Sequence, residues 1–105
     1  MTSHKKETFG QFIRKHRLSN GMNLTQLAAK LDLDSANLSK IENGKRELNS
    51  KKISILAETL NLNKEEVKQE YFSDTIAKKL YQNNCSNKVL LLAEEKLEYY
   101  KSTKK

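Results

Sequence analysis

The sequence predicts an all-α protein. There is no proline among 105 residues and there are only three glycines. Apolar residues return every three or four positions through most of the chain. A Ser, Thr, Asn or Asp stands ahead of most such stretches, where a helix start needs a side-chain acceptor. At this length there is room for one modest core and a helical extension. The longest apolar run, Val89 to Ala93, is far too short to span a bilayer. The polar N-terminus has no apolar signal segment, so a cytoplasmic protein is expected.

Met1 to Glu7 reads as a loose polar lead, a disordered tail rather than one whose Lys5 and Lys6 touch a phosphate. Thr8 caps a first helix running to about Ser19, with Phe9, Phe12, Ile13 and His16 along its inner side. His16 belongs at the core margin, since nothing of metal-ligand type sits at helical spacing from it. Asn20-Gly21 ends the helix, and Met22 packs under the next corner.

Asn23 to Arg46 (NLTQLAAKLDLDSANLSKIENGKR) reads as two short helices joined by a tight corner. Asn23 and Gln26 have capping-box spacing. Leu24, Leu27, Ala28 and Leu31 recur at helical period, with Ala28 and Ala29 small enough to admit another helix. At Asp32-Leu33-Asp34, Leu33 turns inward and Asp34 caps the second helix. That helix, Ser35 to about Asn43, has only Leu38 and Ile41 to bury. Ala36, Ser39, Lys40 and Asn43 fall on its other face. Gly44 supplies a left-handed stop, followed at once by Lys45 and Arg46. Such a helix suits a DNA major groove, because small residues let the backbone approach while Lys40 and Asn43 reach base edges or phosphates. An ordinary amphipathic helix has the same pattern.

Beyond Arg46, Asn49 or Ser50 caps a fourth helix with Ile53, Leu56, Ala57 and Leu60 inward. Lys51 and Lys52 stand at its start, against the helix dipole; either solvent or a nearby phosphate would relieve them. Leu62 turns the chain. Asn63 and Glu66 then open a fifth helix with capping-box spacing, through Val67, Tyr71, Phe72, Ile76 and Leu80. Ser73-Asp74 leaves a break in it open. After the polar loop Gln82 to Cys85, Ser86 or Asn87 starts a last helix. Its residues Leu90, Ala93, Leu97 and Tyr100 step 3, 4, 3, as in a coiled-coil seam. Cys85 is the only cysteine, so no internal disulfide forms.

The net charge of +7 is unevenly spread. Residues 1–52 hold 11 Lys/Arg against 5 Asp/Glu, and residues 53–105 hold 9 against 8. The basic excess coincides with the two-helix corner, as a phosphate-facing surface requires.

From Phe9 to about Val67 the chain resembles the Cro/phage-repressor-like (XRE) family of bacterial helix-turn-helix regulators. Arg17, Gly21, Leu27, Ala28, Leu31, Leu33 and the run LSKIENGKR from Leu38 to Arg46 stand where that family has such residues, without insertion. The resemblance implies a five-helix repressor-like DNA-binding domain over residues 8–70, plus a C-terminal helical extension over 71–101. It places Ser35, Ala36 and Lys40 at base-reading positions, with Ser39 close to the DNA, and Asn37 and Asn43 at phosphates. Lys45 and Arg46 become backbone neutralisers, and Asn23 presents helix amides to a phosphate. It also pairs Arg17 with Glu42. Where many members carry Gln beside the helix cap this chain has Leu24, so Thr25 is the replacement contact expected. Leu48 stands where proline is frequent.

Family members bind palindromes as two-fold dimers with recognition helices about 34 Å apart. The apolar residues from Tyr71 to Tyr100 need cover, either by folding back on their own domain or from a second copy. A homodimer on a double-stranded DNA operator is the reading favoured, joined through Tyr71, Ile76, Leu80, Leu90, Ala93, Leu97 and Tyr100. The leading function is a transcriptional regulator in the cytoplasm, associated with the nucleoid, of repressor or restriction–modification controller type. The alternative is an antitoxin or adaptor whose C-terminal helices bind another protein. No cofactor, metal, membrane or small-molecule ligand is expected. No nucleophile–base arrangement, paired-carboxylate pocket or glycine-rich phosphate loop suggests an enzyme. Glu65-Glu66 and Glu94-Glu95 read as helix-face charges.

Overall fold

The computed structural model describes residues 6–103; Lys5 lies outside them. These residues form six α-helices, one 3-10 turn and no strand. The helices are α1 (Phe9–Ser19), α2 (Leu24–Lys30), α3 (Ser35–Glu42), α4 (Ile53–Thr59), α5 (Lys64–Gln82) and α6 (Lys88–Thr103), with the turn at Ser50–Lys52. The chain divides into two compact units between Asp74 and Thr75.

The helix starts follow the capping residues. At α1, Gln11 N–H donates to Thr8 Oγ1 (3.1 Å) while Thr8 N–H donates to Gln11 Oε1 (2.8 Å). Asn23 and Gln26 make the same reciprocal pair at α2, both bonds 2.8 Å. Asp34 accepts from Asn37 N–H at α3, and Asn63 from Glu65 and Glu66 N–H at α5. Each such cap stabilises its helix by about 1 kcal/mol. Asn49 rather than Ser50 closes the turn ahead of α4, accepting from Lys51 N–H at 2.9 Å.

The helix ends share one device. Gly21, Asp32, Gly44, Asn61 and Asn84 all have positive φ, between 55° and 75°. The following amide then reaches back five residues: Met22 to Arg17 O, Leu33 to Ala28 O, Lys45 to Lys40 O, Leu62 to Ala57 O and Cys85 to Leu80 O, at 2.8–3.1 Å. These are Schellman closures. Met22, Leu33 and Leu62, the residues that make the returning bond, also pack on the core.

The first unit is built around fully buried Phe12, Ile13, Leu27, Leu31, Leu38, Leu56, Leu60 and Val67. Ala28 is buried and admits a neighbour as expected, whereas Ala29 is exposed. His16 sits at the margin, edge-on to Phe12 at 4.6 Å. Leu48 is also buried and belongs to this core.

Tyr71 requires a correction. Expected on the dimer seam, it lies in the first unit's core, 8% exposed and edge-on to Phe9. Its hydroxyl donates to Leu48 O at 2.6 Å. Burial, and secondarily the charge of Glu47, raise its pKa above the usual tyrosine value. An aromatic ring with a polar tip is well matched to a core position that offers a carbonyl.

The step at Ser73-Asp74 does not break α5, which is continuous from Lys64 to Gln82. Ser73 Oγ donates to Glu70 O, so the hydroxyl is satisfied inside the helix. In the second unit, α6 has no buried residue. Of the residues expected on its seam, Leu90, Leu97 and Tyr100 are 47%, 50% and 67% exposed, and Ala93 is exposed too. On α5, Ile76 is exposed and Leu80 half-buried.

Candidate nucleic-acid interface

α2 and α3 are held as a corner by the left-handed Asp32 and the Leu33 N–H bond to Ala28 O. Leu38 and Ile41 anchor α3 from below, 0% and 3% exposed. Turned away from them, Ala36, Lys40 and Asn43 are exposed, while Ser35, Asn37 and Ser39 are half-buried. Asn23, Thr25, Lys45 and Arg46 are exposed as well. Leu24 packs against the core, so that position offers no polar group outward.

The end of α3 is clamped to α1. Arg17 Nε donates to Glu42 Oε2 at 2.7 Å, and Nη2 to Glu42 Oε1 at 3.0 Å. Nη1 donates to Met22 O at 3.0 Å. Both charged side chains are buried. The Glu42 hydrogen bond, opposed by desolvation and aided by the opposite charge, raises the guanidinium's pKa above its ordinary value. A forked pair with every guanidinium nitrogen hydrogen-bonded is the geometry in which a buried charge is tolerated. Gly10 provides the close approach. A Cβ there would overlap Glu42 O and lie 2.5 Å from Ile41 O, both backbone atoms.

Two contacts shape the polar face itself. Arg46 Nη1 donates to Asn37 Oδ1 at 2.8 Å, so the exit loop folds back on α3. The Asn37 amide nitrogen remains the group able to reach a further acceptor. Asn43 Nδ2 donates to Ser39 O at 2.9 Å, turning that amide onto its own helix as the α3 C-cap. Lys52 takes neither of the roles the sequence leaves open. Its Nζ donates to Leu31 O at 2.7 Å, capping the end of α2 from the start of α4.

The candidate DNA-facing residues are thus brought together on α2, α3 and the exit loop. Sequence reasoning missed Gly10, whose signal was a glycine inside an amphipathic helix, normally a destabilising choice. It also missed the Asn37–Arg46 and Lys52–Leu31 bonds, which link residues across loops and leave no periodic trace. Among the described residues, no group of three His, Cys, Asp or Glu is placed to hold a metal. Among the described residues, too, no helix is long and apolar enough to cross a membrane.

Comparison with known proteins agrees with this geometry. The helix-turn-helix family (HTH_3) matches residues 13–67. No curated protein is significantly similar to the chain. Among solved structures, the chain is similar to the restriction-modification controller protein C.AhdI from Aeromonas hydrophila, with 30% identity and TM-score 0.51, over 56% of this chain and 89% of that one. It is similar to the clp gene regulator ClgR from C. glutamicum, with 25% identity and TM-score 0.52, over 62% and 84%. The SinR protein/SinI protein complex shares the fold at 18% identity and TM-score 0.53, over 91% of this chain and 100% of that one. The chain belongs to the XRE-type helix-turn-helix family of DNA-binding transcriptional regulators.

Proposed function

We propose that this chain is a sequence-specific regulator that binds a palindromic double-stranded operator as a dimer, in the manner of a repressor or restriction–modification controller. The observation that carries the reading is the α3 surface: two buried anchors below, small and polar residues outward, and a basic exit loop. Ser35, Ala36 and Lys40 read base edges, with Lys40 the donor for a guanine. Ser39 lies between them. Asn37 and Arg46 act as a linked pair at the backbone, Lys45 neutralises a phosphate, and Asn43 stands beside the phosphates at the C-terminal end of α3. Asn23 and Thr25 bring the start of α2 to a phosphate.

Dimerisation is supported by the apolar residues exposed on α6 and on the end of α5. Monomers rarely leave so much contiguous helix face to water. With Tyr71 assigned to the core, the seam consists of Ile76, Leu80, Leu90, Ala93, Leu97 and Tyr100.

Light scattering of the pure protein, alone and with the duplex upstream of its own gene, tests both parts. The expected result is a dimer that shifts this duplex and leaves a scrambled one unbound. A monomer indifferent to sequence would replace this reading with an adaptor whose C-terminal helices take a protein partner.

A further inference from the structure

A hollow of about 310 Å³ lies between the start of α4 and the start of α5, lined by none of the residues assigned to the DNA-facing surface or to the dimer seam. Lys51 and Ser50 of the 3-10 turn, with Ile53 and Ser54 of α4, form one side; Lys64, Lys68 and Phe72 of α5 form the other. The three α5 residues are four apart, so they share one helix face. Three lysines therefore line a single hollow. Lys64 also stands at the first position of α5, where the helix dipole disfavours a cation. The carboxylate nearest in ion-pair terms is Glu65, 3.8 Å from Lys68, and both side chains are solvent-exposed. Such a pair contributes little. Lys51 and Lys64 have no ion-pair partner among the described residues.

Like charges gathered in a concavity repel one another until an anion joins them. Two serine hydroxyls add donors, and Phe72, 44% exposed, adds a flat apolar wall. Lys52 beside them is already committed to Leu31 O, so the hollow's cation from the turn is Lys51. We propose that this hollow is a second anion site, separate from the α3 surface, that takes phosphate groups. The phosphates belong either to the duplex backbone beyond the reach of α3 or to a free phosphorylated small molecule. The first source rests on the proposed function; the second does not.

The test compares the full-length chain with its Lys64→Gln/Lys68→Gln variant, and with Lys64→Arg/Lys68→Arg as the charge-keeping control. Anisotropy titrations over a range of salt would use a short and a long duplex from upstream of the gene. Separately, amide NMR shifts of residues 50–54 and 64–72 would follow added pyrophosphate. If the duplex is the source, the Gln variant lowers the log–log salt slope by about two on the long duplex alone. Its sequence preference is kept, and the Arg variant behaves as wild type. If a free phosphate is the source, pyrophosphate shifts these amides, and the Gln variant binds it at least tenfold more weakly with DNA binding unchanged. Either result supports the site. A Gln variant matching wild type on both duplexes and on pyrophosphate overturns it. A wild type that ignores every duplex while pyrophosphate still titrates the hollow would remove the proposed function and leave this site standing.

Discussion

At the scale of single residues, exposure separates what each cation does. Lys40 is exposed on the outer face of α3, and Lys45 follows the helix stop. Lys40→Ala is expected to cost about 1–3 kcal/mol and to relax base preference at one half-site position. Equal weakening on operator and random duplex would show that Lys40 reads no base. Lys45→Ala should lower affinity evenly across sequences and flatten the salt slope by about one unit, as an anisotropy series in salt would report. Arg17 is a cation of another kind, buried with all three of its bonds made inside the protein. Glu42→Ala leaves that charge uncompensated and should destabilise by about 3–5 kcal/mol in urea unfolding. Arg17→Lys should recover little, since one ammonium cannot reproduce the fork and the Met22 bond together.

At the scale of elements, the recognition helix is short and depends on its neighbours for position. α3 has eight residues, too few to persist as a helix alone. Its start rests on Asp34, its end on Gly44, and its height above α1 on the missing side chain of Gly10. Gly10→Ala places a methyl against carbonyls that cannot rotate away. A loss of at least about 2 kcal/mol in unfolding free energy is therefore expected, together with weaker operator binding. Unchanged thermal stability would mean that α1 and α3 are free to part. Most of this architecture was legible in the chain, because caps and stops are written locally. Thr8, Asn23, Asp34, Asn63 and Gly44 act within a few residues of where they stand. Tyr71 was misplaced for the opposite reason. Its helical period is continuous with the apolar residues after it, and its partners, Phe9 and Leu48 O, are remote in sequence. Periodicity identifies an inward face without saying which core that face meets. Lys52 and the Asn37–Arg46 pair were hidden by the same lack of local signal. The positive φ at Asp32, Asn61 and Asn84 was equally silent, since asparagine and aspartate are common in caps and loops of every kind.

At the scale of the whole molecule, the two units differ in how they satisfy their apolar residues. The first encloses its own core, from Phe9 to Tyr71. In the second, Ile76, Leu90, Leu97 and Tyr100 remain open to water. Leu97→Glu should shift the protein toward monomer in light scattering and weaken operator binding, with the thermal unfolding of the first unit nearly unchanged. A dimer that survives this change would place the seam elsewhere. Pairing through α6, which has no buried residue, would also make the protein a gauge of its own abundance. If a second copy covers that helix, then below the dimer's dissociation constant the paired form grows as the square of total concentration. Doubling the copy number would roughly quadruple the species able to span both half-sites. Control by this protein would then start late and rise steeply, a delay set by the pairing affinity of α6 and the end of α5.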